Sequence, residues 1–323
     1  MSLNISIKNC SICGSDLKNH IKKSPRIKED QVLGHEISGI IQDISGTYSE
    51  FKVGDKVSIG ADIACGKCRH CLSGKRCTED KAFGHEVAGG FAESIEVNFE
   101  NLTNVPIATF GNDLSFEIAS LAEPLACCIN GFEKFNSQTF KGGLVILGAG
   151  PIGYMLARYG EYLGFEDIIL CDFNKYRLNH IKNNSKFHTI SLTDEVNPKE
   201  SISNYLKGNS PDLIFTACSS FDAQKMALDF VGHGSTLNFF GGIPKNLAKD
   251  IFISPNYLHY QEITLTGSHG STPKQHKRAL KLLESRKINF DDIITHKFPM
   301  NKFNEAIEFS LKGECMKVTL FNE

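Results

Sequence analysis

Four cysteines, Cys65, Cys68, Cys71 and Cys77, follow one another as C-x-x-C-x-x-C-x5-C. A short loop with that spacing can wrap its thiolates around a tetrahedral ion. Four sulfurs leave no coordination position for water or substrate, so the chemistry is that of a structural zinc site. Four cysteines can also hold an iron–sulfur centre. A second constellation is mixed and more widely spread: Cys10-x-x-Cys13, then Gly34-His35-Glu36, then Glu123-Pro124. Thiolate, imidazole and carboxylate, with one position left to an exchangeable water, make the donor set of a catalytic zinc. Gly84-His85-Glu86 repeats the tripeptide, and spacing alone does not choose between the two histidines.

A third motif concerns a cofactor. Gly148-Ala149-Gly150-Pro151-Ile152-Gly153 is G-x-G-x-x-G, placed directly after the apolar run Leu144-Val145-Ile146-Leu147. Behind it Ile152, Met155, Leu156, Tyr159 and Leu163 recur at helical spacing. Gly148 permits the tight turn, Gly150 lets the backbone approach a pyrophosphate, and Gly153 lets the helix pack on the strand. The helix N-terminus then offers N–H groups to the anion. Asp172 ends the next strand, 24 residues beyond Gly148. A carboxylate there accepts the ribose hydroxyls and repels a 2′-phosphate, which favours NAD over NADP.

The elements that must position these residues change in texture along the chain. Residues 1–122 hold short β-rich runs (5–7, 39–44, 56–59 and 91–97) between Gly, Asp and Cys clusters, the pattern of a compact β domain. From Gly143 onward strands at 144–147, 168–171, 213–215, 236–240 and 263–266 alternate with helical stretches, as in a doubly wound parallel sheet. After Gly267 come a basic amphipathic helix over 274–286, two β runs and a short helix, expected to pack back onto the first domain. The fold class is α/β in two domains, 1–122 with 268–323 and 123–267.

Composition narrows the function. The chain has 323 residues with 35 basic and 37 acidic side chains, a net charge of −2, so it offers no electrostatic case for nucleic acid or an anionic membrane as partner. The longest apolar run, 142–157, is broken by glycines and a proline and is too short to span a bilayer. The first residues lack the charged-then-apolar layout of a secretory signal. Of eleven cysteines, six stand at metal-like spacings, which fits a reducing compartment, and the expected location is cytoplasmic. No internal repeat or low-complexity tract is present.

The ordered motifs resemble one family. Cys10-Ser11-Ile12-Cys13-Gly14-Ser15-Asp16, Gly34-His35-Glu36, Val53-Gly54-Asp55-Lys56-Val57, Cys65-Gly66-Lys67-Cys68-Arg69-His70-Cys71, Gly89-Gly90-Phe91-Ala92-Glu93, Glu123-Pro124-Leu125-Ala126 and the dinucleotide turn look like those of zinc-containing medium-chain alcohol dehydrogenases, nearly end to end. Glu123-Pro124-Leu125, Phe240-Gly241-Gly242 and Gly267-Ser268-His269-Gly270-Ser271-Thr272-Pro273 look most like the sorbitol (polyol) and threonine dehydrogenase branch.

The resemblance implies a GroES-like β-rich catalytic domain and a Rossmann domain. It implies Cys13, His35, Glu36 and Glu123 at a catalytic zinc, with Glu123 either a direct ligand or bound through the zinc water. Cys65, Cys68, Cys71 and Cys77 fall at the structural zinc. Ser15 takes the alcohol proton and Asp16 orients the ligand imidazole. The cofactor-binding set is Gly148, Gly150, Pro151, Ile152, Gly153, Asp172 and Arg177, for NAD. The resemblance selects His35 over His85, leaves His85 and Glu86 as structural or surface residues, and makes Cys10 the non-ligand cysteine of its motif. It also implies a homodimer or homotetramer. The expected reaction is hydride transfer to NAD from a secondary alcohol of a polyol, sugar or related small metabolite. A threonine 3-dehydrogenase-like enzyme and a catalytically silent NAD-binding relative are the alternatives. Three departures stand out. The chain starts after the family's first β-hairpin, Cys71-x5-Cys77 is two residues tighter than usual, and Lys18 stands where many relatives carry a histidine.

Overall fold

The structure, a computed structural model, describes residues 2–21, 27, 30–46, 50–98, 102–135, 142–195, 197–244 and 247–323. It divides into two compact units, residues 1–129 with 270–323, and residues 130–269.

The first unit is built on a seven-stranded sheet. Its central strand, Ser2–Ser11, pairs antiparallel with Glu36–Ser45 on one side and with Lys317–Phe321 on the other. Leu3, Ile5 and Ile7 alternate inward along that strand, which is the two-residue period a half-buried strand needs, and they join Ile37, Ile41, Val57, Ile59 and Val97 in a buried core. Ser94–Asn98 pairs with Ser2–Ser6. The sequence pattern places this strand from residue 91. It begins later because the Gly90 and Phe91 N–H groups donate instead to the carbonyls of Gly34 and Leu33, at 2.9 and 3.0 Å. The sheet continues through Lys56–Ile59 to Ile107–Thr109 on one edge and through Lys317–Phe321 to Ile294–Pro299 on the other. The helix Ala122–Phe132 begins with Glu123 in its first turn.

The second unit is a six-stranded parallel sheet in the order His188–Ser191, Asp167–Asp172, Gly143–Leu147, Leu213–Thr216, Thr236–Phe239, Thr264–Gly267. Leu144, Val145, Ile146 and Leu147 are fully buried, as a strand covered on both faces requires. Chain order reverses between Gly143–Leu147 and Leu213–Thr216, the place where such sheets open a ligand crevice. The helix Pro151–Leu163 starts there, with proline in its first turn and Gly164 in the left-handed conformation closing it.

Candidate active site and metal centres

In the first unit the turn after Ser2–Ser11 delivers Cys13 and opens the helix Gly14–Ile21. The buried carboxylate of Asp16 accepts the Cys13 N–H at 2.8 Å through Oδ2, and its Oδ1 lies 3.6 Å from His35 Nδ1. Asp16 thus fixes both the thiol-bearing backbone and the imidazole, turning Nε2 of His35 towards Ser15, whose Oγ is 3.4 Å away. Glu36 follows His35 as the first residue of its strand. One ligand atom from each of Cys13, His35 and Glu36 lies within 4.8 Å of the others.

The field of this cluster favours a cation. Burial works to lower the pKa of His35, but the charges of Asp16 and Cys13 prevail and hold it well above its ordinary value. Burial also pushes Glu36 up, and Lys317 opposes it. The Lys317 ammonium is buried against Glu36, 2.6 Å from Oε1 and 2.5 Å from Oε2. Glu123 is not among the three mutually close ligands. Its carboxyl is buried and pushed up to about 7 by desolvation, and its Oε1 accepts from the Cys127 thiol at 3.5 Å. A thiolate, an imidazole and one carboxylate around one point fit a zinc ion. Cys10 is fully buried and does not join the set. Gly34, at φ +94, fits beneath it, since a Cβ there would stand 2.8 Å from Cys10 Sγ.

The four-cysteine loop closes on itself. The Sγ atoms of Cys65, Cys68, Cys71 and Cys77 lie within 4.8 Å of one another, with Cys68···Cys71 at 3.5 Å and Cys65···Cys71 and Cys68···Cys77 at 3.9 Å. A zinc–sulfur tetrahedron with bonds of about 2.3 Å has edges of about 3.8 Å, so the spacing fits the ion and the shortened Cys71-to-Cys77 segment still reaches. Backbone N–H groups of Cys65 and Glu79 donate to Cys77 Sγ at 3.4 and 3.2 Å, and those of Cys68 and Cys71 donate to Cys65 and Cys68 at 3.4 Å. Donation from the Cys71 backbone leads the effects that pull the Cys68 thiol down to about 6, which prepares a thiolate ligand. Arg76 braces the loop by pairing with Asp80 at 2.6 Å and Asp62 at 3.3 Å.

In the second unit Gly148 stands at φ +110, and a Cβ on Gly153 would fall 1.8 Å from the Gly148 carbonyl oxygen. Asp172 accepts the Ala149 N–H at 2.6 Å and the Asn174 N–H at 2.8 Å, so it shapes the turn as well as standing at its rim. Arg177 lies over Gly150, its Nη1 3.2 Å from where a Cβ would be. The helix beginning at Pro151 has no side-chain cap at Gly150, an arrangement in which a bound anion takes the place of the cap. Pro151, Ile152 and Gly153 are its first three residues.

Two residues beside this candidate cluster carry little sequence signal for it. Lys317 opens a buried strand near the end of the chain, where a single lysine suggests nothing. His85, expected to be structural or on the surface, has its ring centroid 5.8 Å from that of His35. The repetition of Gly-His-Glu is the available hint.

Two family models match the chain. Residues 2–107 match the alcohol dehydrogenase GroES-like domain model and residues 151–285 match the zinc-binding dehydrogenase model. The L-threonine 3-dehydrogenase of Bacillus subtilis (strain 168) is 31% identical over 327 residues, covering 98% of this chain and 90% of that protein. The sorbitol dehydrogenase of Halalkalibacterium halodurans is 29% identical over 324 residues with the same coverage, 98% and 90%. The solved structure of the alcohol dehydrogenase TADH from Thermus sp. ATN1 is similar with a TM-score of 0.88 at 24% identity, over 99% of this chain and 92% of that one.

Proposed function

The chain belongs to the zinc-containing medium-chain alcohol dehydrogenases, and we propose that it oxidises a secondary alcohol of a polyol, sugar or related small hydroxylated metabolite with NAD as acceptor. The observation that carries this reading is the convergence of Cys13, His35 and Glu36 within 4.8 Å, with Ser15 Oγ 3.4 Å from His35 Nε2. A zinc ion held by Cys13, His35 and Glu36, with Glu123 close by, would act as a Lewis acid on the alcohol oxygen.

The chain's own residues do the rest. Ser15 Oγ relays the alcohol proton, accepting it as its own hydroxyl proton passes on towards the nicotinamide ribose. Asp16 holds the ring of His35 by its Nδ1 side, so that Nε2 is the nitrogen left to face the ion. Lys317 orients Glu36 and opposes the rise that burial gives its carboxyl. The Gly148–Gly153 turn receives the pyrophosphate of NAD, and Asp172 disfavours a 2′-phosphate. Cys65, Cys68, Cys71 and Cys77 hold a second, structural zinc with no chemical role.

Threonine 3-dehydrogenase activity is the second reading, favoured by the 31% identity to a relative of that name. The polyol reading is preferred because Lys317, a buried cation beside the cluster, is already paired with Glu36 and so is not available to a substrate carboxylate. No helix of the described residues is long and apolar enough to cross a membrane. The eleven cysteines are thiols outside any disulfide, which suits a cytoplasmic protein. The exposed edge strand Thr264–Gly267, with Phe252 91% and Tyr260 71% exposed nearby in sequence, is the surface proposed for a homodimer or homotetramer.

The test is metal content by elemental analysis on the sample used for an NAD-reduction screen over polyols, sugars, sugar phosphates, cyclitols and threonine. Two zincs per chain with turnover of one hydroxylated class is the expected result. Turnover retained in Cys13→Ala would overturn the site, and NAD binding without turnover of any alcohol would favour the silent relative.

A further inference from the structure

The chain's total charge of −2 conceals a local excess. Residues 274–287 carry six basic side chains and one acidic, a charge of +5, which leaves the rest of the chain at −7. They belong to the helix Pro273–Glu284 and the turn after it. His276, Ala279, Leu280, Leu282 and Leu283 are buried beneath the helix, so the basic residues share the face that remains. Lys274, Arg278, Lys281, Arg286 and Lys287 are exposed and Lys277 is half-buried.

Two features set this face apart from an ordinary solvated one. Exposed helices gain support from acids and bases paired at i, i+4, whereas Lys274 with Arg278 and Lys277 with Lys281 are like-charged at that spacing and repel. Glu284, the one acid, is drawn away, its Oε1 accepting the Gly111 N–H at 2.7 Å. Among the described residues no carboxylate pairs with Lys274, Lys277, Lys281, Arg286 or Lys287. The second feature is convergence. Lys274, Lys277, Arg278, Lys281 and Lys287 line a groove of about 610 Å³ together with Leu282 and Ser285, and no described acid stands in its wall. A separate cleft, which Lys277 and Lys281 share with Glu50 and Asp55, is of mixed charge.

We propose that the all-basic groove docks on the sugar–phosphate backbone of a duplex nucleic acid, without sequence preference. Duplex DNA carries one negative charge per about 1.7 Å of its axis. Cations that repeat at about 5–6 Å along a helix then meet several phosphates at once, and their mutual repulsion is relieved. Residues 273–287 show no exposed large apolar side chain. That disfavours an anionic bilayer, because interfacial helices anchor through such side chains. It also disfavours a single strand, whose bases stack on aromatic platforms. With phosphates alone to contact, the groove reads no bases. It shares no residue with the candidate active site or the dinucleotide turn, so the inference is independent of the dehydrogenase reading.

The test is fluorescence anisotropy of a labelled DNA duplex of mixed sequence, titrated with the full chain. Wild type should bind, and its affinity should fall about a hundredfold between about 50 and 200 mM NaCl, as contact with about four phosphates requires. Lys274→Gln/Lys281→Gln/Lys287→Gln should weaken binding at the lower salt at least about tenfold and flatten the salt dependence. Lys182→Gln/Lys199→Gln/Lys225→Gln removes the same charge from exposed positions of the second unit and should bind as wild type does. Equal weakening by the two triple variants would reduce the binding to a general charge effect and overturn the proposal. So would an absence of binding at the lower salt, or tighter binding to a single strand of the same length or to phosphatidylglycerol vesicles than to the duplex.

Discussion

Lys317 Nζ lies 2.6 Å from Oε1 of Glu36 across 281 positions of sequence, both side chains buried. The register of the first unit explains the meeting. Ser11 pairs with Glu36 on one flank and with Thr319 on the other, so the two charged residues belong to strands that sandwich one central strand beside Cys13. Removing either charge leaves the other uncompensated inside the fold. Lys317→Met is therefore expected to destabilise the protein by about 3–5 kcal/mol, the usual cost of breaking a buried ion pair from one side. It should also weaken zinc retention at Cys13, His35 and Glu36. Urea unfolding with parallel metal analysis checks this. Lys317→Arg should keep most of both properties, and equal behaviour of the two variants would refute the pairing role.

The cysteine loop is expected to hold its ion independently of the cluster of Cys13, His35 and Glu36. Cys77→Ser removes one of four sulfurs that approach within 4.8 Å of one another, so metal content should fall from two zincs per chain to one. The urea midpoint should fall with it, because a structural zinc contributes folding free energy directly. Loss of both ions would mean that the two centres are coupled.

His276 supplies a pH dependence. It is fully buried, and desolvation pushes it down to about 4 from an ordinary value of 6.5. The folded protein keeps the ring neutral while the unfolded chain protonates it. This contribution is fully present above pH 6.5 and is lost as pH falls towards 4, at about 1.4 kcal/mol per unit and about 3 kcal/mol in all. Urea midpoints measured between pH 8 and pH 4 should fall for wild type and fall less for His276→Gln. Parallel curves for the two proteins would exclude His276 as the source.

Gly153→Ala tests the dinucleotide turn. Its Cβ would stand 1.8 Å from a backbone oxygen, that of Gly148, so the turn itself has to move, at a cost of about 1–3 kcal/mol. NADH affinity, read by nicotinamide fluorescence, should weaken at least about tenfold. Gly150→Ala meets only the flexible end of Arg177, at 3.2 Å. It should disturb folding less and affect cofactor binding chiefly by occupying the anion's place. Unchanged NADH binding in Gly153→Ala would place the cofactor elsewhere.

Sites confined to one stretch of chain are legible in the amino-acid sequence. The four cysteines span residues 65–77, and their spacing alone determines a closed thiolate set, because a loop that short brings its sulfurs together wherever the rest of the chain goes. The turn 148–153 and the fully apolar strand ahead of it determine the parallel sheet and the anion-binding helix end for the same reason. Steric demands on Gly148 and Gly153 are local. The alternation of apolar residues at 3, 5 and 7 likewise marks a strand with one buried face.

The cluster of Cys13, His35 and Glu36 is different, because its members stand at the ends of two paired strands, with Lys317 from a third far along the chain, and their meeting depends on pairing register. For Cys13, His35 and Glu36 the sequence offers residue types and an order that match a family. It contains no reason for Asp16 to align His35, for Lys317 to answer Glu36, or for the second Gly-His-Glu to lie on the first. Those relationships are set by tertiary structure, since the energy of a buried charge or imidazole depends on which groups share its enclosure. Composition and periodicity determined the elements and the two local motifs, whereas the sheet register of the first unit decided which polar side chains would be buried together.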